Sequence, residues 1–214
     1  MPILLELYSG TGSMGRAFEA RGWEVISVDI DPATECTLCM DVRDLTPRQL
    51  PVHPDLVWAS PVCCHCSRAR TNANTPRDLE WADSLVTAAI DLAAELRVPA
   101  LFENPESGML KTRPIVADVP YVVVDYCTYH DSRATHCARK RTAIWQLGGA
   151  AWRPSRSVCR KDCGFCTGGK HDESAQQGPA RAGQRRHSLN ELYAMPPLLC
   201  EEIAGWASMN IFGI

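Results

Sequence analysis

An α/β architecture with a mostly parallel, doubly wound sheet is what this sequence predicts, on three observations. Apolar runs of strand length recur along the first 147 residues, segments of helical spacing lie between them, and chemically useful residues collect where the runs end. Strands alternating with helices bring ligands to the carboxyl ends of the strands, so distant positions are expected to converge on one rim.

The elements follow in order. Residues 3–8, ILLELY, form an apolar run that stops at Ser9-Gly10-Thr11-Gly12, after which Met14, Ala17, Phe18 and Ala20 keep helical spacing to Gly22. WEVISVD, 23–29, is a β-branched run closing on Asp29, and a Cys-containing loop leads to Cys39-Met40-Asp41-Val42, where a further β unit begins. DLVWAS, 55–60, reads as a buried strand, DLEWADSLVTAAIDLAAELR, 78–97, as a long amphipathic helix, and ALFEN, 100–104, as the next strand. YVVVDYCTY, 121–129, and RTAIWQL, 141–147, are two more strands. From Gly148 to about Gln184 the chain is rich in Gly, Ser, Arg and Cys, as a loop-rich insertion would be. Helical spacing returns in SLNELYAM and PPLLCEEIAGW, where Pro197 suits a first helical turn. The expected division is therefore a main α/β part over 1–147, a small basic Cys-rich insertion over 148–185, and a C-terminal helical segment over 186–214 that completes the first part.

Composition narrows the setting. With 214 residues, 45% apolar and 22% charged, the chain resembles an ordinary soluble globular protein. No apolar stretch approaches the ~20 residues that span a bilayer, and MPILLELYSG carries no basic n-region, so an intracellular, cytoplasmic protein without a membrane partner is expected. Eleven cysteines in a chain of this size point to reduced thiols used for catalysis, metal or packing rather than to a disulfide framework. The net charge of −3 conceals an asymmetry: residues 139–186 hold eleven Lys and Arg against three acids, which is either a solvated loop or a phosphate-facing surface.

Gly10-Thr11-Gly12-Ser13-Met14-Gly15 satisfies GxGxxG between a strand and a helix, and Asp29 closes the following strand, where a carboxylate can accept from ribose hydroxyls. The pattern permits an adenosine cofactor, either a dinucleotide or S-adenosylmethionine; a tight turn required by packing is the alternative. Asp41 either meets an adenine amino group or is a plain surface acid. The stretch SPVCCHCS, 60–67, places three thiols and an imidazole in four consecutive positions after a strand. Cys63 there faces the same rim as the cofactor turn, and a thiolate needs only modest activation to act as a nucleophile. Glu103, in Glu103-Asn104-Pro105 after the next strand, is placed to protonate or hydrogen-bond a ring nitrogen. A nucleophile, an acid and an S-adenosyl donor on one rim define alkyl transfer to an otherwise unreactive aromatic carbon.

These residues also carry a family resemblance. The chain resembles a DNA (cytosine-5) methyltransferase, of a short kind similar to phage-type enzymes. LELYSGTGSMGRAFEARGWEVISVDID resembles the family's DLFSGxGG motif with its helix and acidic strand end, SPVCCHCS resembles SPPCxxFS, FENP resembles ENV, and CARKR, 137–141, resembles QxRxR. Val62 stands for the second proline of the loop, Glu6 for an aspartate and Cys137 for the glutamine. The resemblance covers about residues 4–147 and implies a Rossmann-like fold that binds S-adenosylmethionine through Tyr8, Ser9, Gly10, Thr11, Gly12, Asp29, Ile30, Asp41, Val42 and Pro61. It implies that Cys63 adds to C6 of a flipped cytosine while Glu103 engages N3, and that Arg141 and Arg139 meet the base O2 or organise the acid and the thiol. Duplex or single-stranded DNA is the implied partner. RNA, or transfer of another one-carbon group, would use the same residues, and an idle zinc-containing nucleic-acid-binding protein is the reading from another class. A pyridine-nucleotide dehydrogenase finds no role for SPVC or FENP.

The large target-recognition region usual in that family is largely missing, and in its place stands Cys159-x3-Cys163-x2-Cys166-x4-His171. Three thiols and an imidazole suffice for tetrahedral zinc, and a segment so poor in apolar residues gains from a metal what it cannot gain from a core. Unligated thiols in a loop are the alternative. Stapled by zinc, the basic insertion would grip DNA through its phosphates. Cys36-x2-Cys39 reads as packing or chance.

Overall fold

The computed structural model describes residues 1–68, 70, 73–175 and 187–212. Its main sheet is built from β1 (Ile3–Leu7), β2 (Glu24–Asp29), β3 (Leu38–Cys39), β4 (Leu56–Ala59), β5 (Ala100–Pro105), β6 (Tyr121–Asp125) and β7 (Arg141–Leu147). They lie side by side in the order β3-β2-β1-β4-β5-β7-β6. All pairs from β3 to β5 are parallel, and β7 alone runs antiparallel to both its neighbours. The reversal is invisible in the sequence, because RTAIWQL is buried over its five central residues and an apolar run reads the same in either direction.

From β1 the sheet grows one way through β2 and β3 and the other way through β4 and β5. At that switch the connections leave to opposite sides, so a crevice opens at the carboxyl ends of β1 and β4. Among the described residues the crossovers carry fewer helices than strict alternation predicts: only α1 (Ser13–Glu19) and α2 (Leu79–Leu96) join parallel strands, while 3₁₀ turns link β2 to β3, β3 to β4 and β5 to β6.

Helix α2 starts where the Asp78 carboxylate accepts the Trp81 N–H at 2.8 Å and ends at Arg97 in the left-handed region. Ala82, Leu85, Val86, Ala89, Leu92, Ala93 and Leu96 recur at three- and four-residue spacing on its buried face. They pack with Leu5, Leu7, Val57, Phe102 and Trp145 on one side of the sheet. The opposite side is covered by α1 and the C-terminal α4 (Pro197–Ala207), with Phe18, Leu199 and Ile203 against Leu4, Trp58, Leu101 and Ile144. Each such fully buried aliphatic side chain contributes about 1.5–3 kcal/mol. Helix α3 (Leu189–Tyr193) begins with a reciprocal cap between Ser188 and Glu191.

Within the described part of the insertion, β8 (Cys166–Thr167) and β9 (Lys170–His171) form a hairpin whose turn, Gly168-Gly169, needs positive φ at both positions (59° and 74°). The basic residues Arg181, Arg185 and Arg186 and the expected boundary near 185 lie outside the described residues. Among the described residues no helix is long and apolar enough to cross a membrane.

Candidate active site

After β1 the chain turns sharply, with Tyr8, Gly10 and Gly12 at φ 57°, 47° and 63°. Asp29, at the end of β2, holds this turn: its Oδ2 accepts the Gly10 N–H at 2.8 Å and its Oδ1 the Asp31 N–H at 2.9 Å. A carboxylate oxygen has two acceptor positions, so each keeps one for a ligand. Below the turn, Glu6 is 3% exposed, and burial pushes its carboxyl up to about 7 against the N–H groups of Gly15 and Met14 and the charge of Arg16. A Cβ at Gly15 would come within 2.5 Å of Glu6 Oε2, so a larger residue there would force the buried Glu6 side chain to shift.

The second half of the crevice follows β4 and β5. Trp58 Nε1 donates to Ser60 Oγ at 3.0 Å, and Asn104 Nδ2 donates to the Pro61 carbonyl at 3.0 Å, which pins the backbone just before Cys63. On the far side of Cys63 the Cys66 carbonyl accepts the Met109 N–H at 2.8 Å, and Arg77 donates to the carbonyls of His65 and Ser67. Glu103 is buried; its Oε1 accepts from Thr142 Oγ1 at 3.2 Å and from the Tyr126 hydroxyl at 3.4 Å, with Lys140 Nζ 3.7 Å away. Lys140 also lies over the Tyr126 ring, 4.8 Å from its centroid. Burial, and then the charge of Glu103, push the Cys63 thiol up to about 11, while Lys140 opposes them.

Both halves line one cavity of about 400 Å³, with Gly10, Asp29 and Ile30 at one end and Cys63, Glu103 and Lys140 at the other. That is the size of a small-ligand site. The C-terminal segment supplies Asn190, Tyr193 and Met195 to its wall, and the Met195 N–H donates to Ser13 Oγ at 3.3 Å, which docks this segment on the glycine turn.

No family profile matches the chain. A protein of Frog virus 3 (isolate Goorha) named "Probable DNA (cytosine-5)-methyltransferase" is 34% identical over 158 residues, which are 66% of this chain and 69% of the viral protein. The chain belongs to the DNA (cytosine-5)-methyltransferase family. Among solved structures it is similar to the S. pombe Dnmt2 methyltransferase, with 16% identity and TM-score 0.49 over 72% of this chain and 53% of that one. It is likewise similar to the Entamoeba histolytica methyltransferase EhMeth, with 12% identity and TM-score 0.49 over 74% of this chain and 56% of that one. The chain thus spans about half the length of these solved methyltransferases.

Within this family member, the structure gathers most of the residues singled out by the motifs and sets others aside. Tyr8, Ser9, Gly10, Thr11, Asp29, Ile30, Pro61, Cys63 and Glu103 line the cavity. Gly12 instead caps α1, Val42 is buried in the core beside α2, and Asp41 is engaged by Arg43, whose Nε donates to both carboxylate oxygens at 3.0 and 3.1 Å. Arg139 and Arg141 do not reach the cavity lining: both donate to the buried Asp125, Arg141 through Nη2 at 2.8 Å and Arg139 through Nε at 3.2 Å. The physical reason is a tight turn around Arg139, in which the Lys140 N–H donates to the Ala138 carbonyl at 3.0 Å, so that Lys140 leaves toward Glu103 while Arg139 and Arg141 turn to Asp125. Lys140, an unassigned position of the QxRxR-like motif, is the cation at the site. Nothing in the spacing of CARKR distinguishes these two arrangements. Glu6, Tyr193 and Met195 are also lining residues that motif reading did not find; the Ser188-x-x-Glu191 cap marks the helix that carries Tyr193 but not its destination.

The CCHC cluster separates. Cys66 is buried in the core beside α2, the His65 ring packs on Trp81 and its Nδ1 accepts the Asp78 N–H at 2.7 Å, and only Cys63 of the three thiols lines the cavity. Among the described residues, the one group able to hold a metal is Cys127, Cys159, Cys163 and His171, whose ligand atoms all lie within 4.8 Å of one another. The set suggested by spacing, Cys159, Cys163, Cys166 and His171, is thus changed at one position: Cys127, which follows β6, takes the place of Cys166, whose Sγ stands 4.0 Å from that of Cys163.

Proposed function

We propose that the chain transfers a methyl group from S-adenosylmethionine to C5 of cytosine in DNA through a covalent Cys63 adduct at C6. The observation that carries this reading is that Cys63 and Glu103, delivered by neighbouring parallel strands, share one cavity with the glycine turn and Asp29. The residues at the cofactor end fit the group: Asp29 keeps acceptor positions for ribose hydroxyls, Ile30 is 67% exposed beside them for an adenine face, and Tyr8, Ser9, Thr11 and Pro61 close the walls. S-adenosylmethionine supplies an electrophilic methyl group when bound.

Cys63 passes its proton to water and its sulfur bonds to C6 of the flipped base, moving the C5–C6 electron pair onto C5. Glu103 donates a proton to, or shares one with, N3, which accepts the charge that the ring would otherwise hold. A proton shared between Glu103 and N3 offsets part of the carboxylate charge that faces Cys63, so base binding and thiol activation are coupled. Lys140, beside both groups, favours the thiolate. Once C5 has taken the methyl group, leaving S-adenosylhomocysteine, the C5 proton passes to water, the bond from C6 to the Cys63 sulfur breaks, the C5–C6 double bond returns and N3 releases its proton to Glu103. Arg139 and Arg141 act through Asp125, as positioning residues for the segment that carries Lys140.

The working unit in this reading is 1–147 completed by 186–214. Arg153, Arg160, Lys161 and Lys170 of the small insertion, all exposed, contact DNA phosphates, and a structural zinc ion holds that insertion. Incubation with 5-fluorocytosine-containing DNA and S-adenosylmethionine tests the chemistry. A stable protein–DNA adduct in the wild type that is lost in Cys63→Ser is expected; no Cys63-dependent adduct on DNA overturns the proposal, and an adduct on RNA alone moves the substrate to RNA.

A further inference from the structure

The Cys-rich insertion and the catalytic sheet meet at four side chains. Cys159 and Cys163 come from the loop before β8, His171 from β9, and Cys127 from the turn after β6, outside the insertion altogether. His171 Nε2 lies 3.4 Å from Cys159 Sγ and 3.4 Å from Cys163 Sγ. A tetrahedral zinc ion with bonds of about 2.3 Å to sulfur and about 2.0–2.1 Å to nitrogen holds its S and N ligands about 3.6 Å apart, so the two His171–thiol pairs stand within tenths of an ångström of a coordination shell, and all four ligand atoms lie within 4.8 Å of one another. Local backbone geometry suits thiolates: the Lys161 N–H donates to Cys159 Sγ at 3.2 Å, and the Gly168-Gly169 turn folds His171 back onto the loop.

We infer that Cys127, Cys159, Cys163 and His171 bind one zinc ion that bolts the basic insertion to the end of β6. Cys127 makes the site a tether rather than a free-standing finger. Two residues before it, Asp125 accepts the Cys159 N–H at 2.8 Å together with the guanidinium groups of Arg139 and Arg141. The ion therefore fixes the insertion beside the carboxylate that holds the strand entry leading to Lys140. This deepens the zinc component of the reading above and is independent of methyl transfer, because its measurements involve neither cofactor nor DNA.

The test is the metal content of the full chain, expressed with zinc and purified without chelator. About one equivalent of zinc is expected in the wild type and in Cys166→Ser, and less than about a fifth of an equivalent in Cys127→Ser. Because misfolding alone would also strip zinc from Cys127→Ser, the cobalt-loaded wild type and Cys166→Ser are compared directly. Equal thiolate-to-metal charge-transfer intensity, and X-ray absorption giving three sulfurs and one nitrogen in both, are expected. Withdrawing zinc from the wild type should raise the rate of tryptic cleavage at Arg153, Arg156, Arg160 and Lys161 at least about tenfold, as local unfolding of a released loop requires. Absence of bound metal, retention by Cys127→Ser, loss of a thiolate ligand in Cys166→Ser, or cleavage unaffected by chelation each overturns the inference.

Discussion

The thiol at the centre of the site is held in its unreactive form, and this is measurable. Burial and the neighbouring Glu103 push Cys63 from an ordinary value of 9.0 up to about 11. At pH 7.5 an ordinary thiol of that kind is about 3% thiolate and Cys63 about 0.03%, a difference of about 100-fold in the nucleophilic form. Alkylation of Cys63 should therefore rise about tenfold per pH unit up to at least pH 10, without the plateau that a free thiol reaches near 9. Glu103→Gln removes the carboxylate charge and should shift the profile to lower pH, whereas Lys140→Met removes the opposing cation and should shift it higher, each by about half a unit to one unit. Isotope-coded iodoacetamide with peptide mass spectrometry resolves Cys63 from the other ten cysteines. The shape of the profile is the readout, because steric protection slows alkylation equally at every pH. A plateau at or below pH 9, or a profile that Glu103→Gln leaves in place, refutes the reasoning.

Other perturbations reach different parts of the fold. Glu6 has a folded value of about 7 against an ordinary 4.5, so the stability it contributes is present below pH 4.5 and lost as pH rises through 7; its ionised form then costs about 3 kcal/mol. Glu6→Gln, which keeps an acceptor for the same N–H groups, should raise the melting temperature at pH 8 and leave it nearly unchanged at pH 4.5; equal shifts at both would contradict this. Asp125→Asn leaves two guanidinium groups, each about a third exposed, without their buried counter-charge, and should lower unfolding free energy by about 2–3 kcal/mol in urea titration at pH 7. A loss under about 0.5 kcal/mol would mean that both arginines simply turn to water. Asp29→Ala removes the acceptor of the Gly10 N–H and the one proposed for the ribose, and calorimetry should show S-adenosylhomocysteine binding weakened at least about tenfold; unaltered affinity would remove Asp29 from the proposed cofactor site.

The sequence told most about features encoded locally. Helix α2 announces itself by spacing, expected over 78–97 and found over Leu79–Leu96, and β7 spans the predicted 141–147. The glycine turn, Cys63 and Glu103 sit at strand ends, and the strand ends converge because the sheet is parallel there. What was not legible depends on partners far along the chain. Cys127 reads as the tail of a strand, and only the docking of the insertion brings it to Cys159 and His171. Asp41 reads as an acid at a rim, but Arg43, two residues on, already engages it. Glu6 stands in an apolar run as an apparent exception, and it is the packing of Gly15 above it that makes it a buried acceptor.

The reversed strand explains why the cation at the site is Lys140. Because β7 runs antiparallel to β5, its first residues lie beside the end of β5, with Thr142 paired to Pro105 and Ala143 to Asn104. The entry to β7 is thereby delivered to the rim that holds Glu103. A parallel strand in the same place would present Leu147 there and carry Lys140 to the opposite edge of the sheet, about 20 Å away at the usual rise per residue. Once the direction is set, the tight turn at Arg139, where the Lys140 N–H donates to the Ala138 carbonyl at 3.0 Å, completes the arrangement. Arg139 and Arg141 reach to Asp125, and Lys140 faces Glu103 and the Tyr126 ring. The motif's two arginines and the lysine between them are thus one device: the arginines anchor the strand entry through a buried carboxylate, and the anchored entry holds the lysine over the acid.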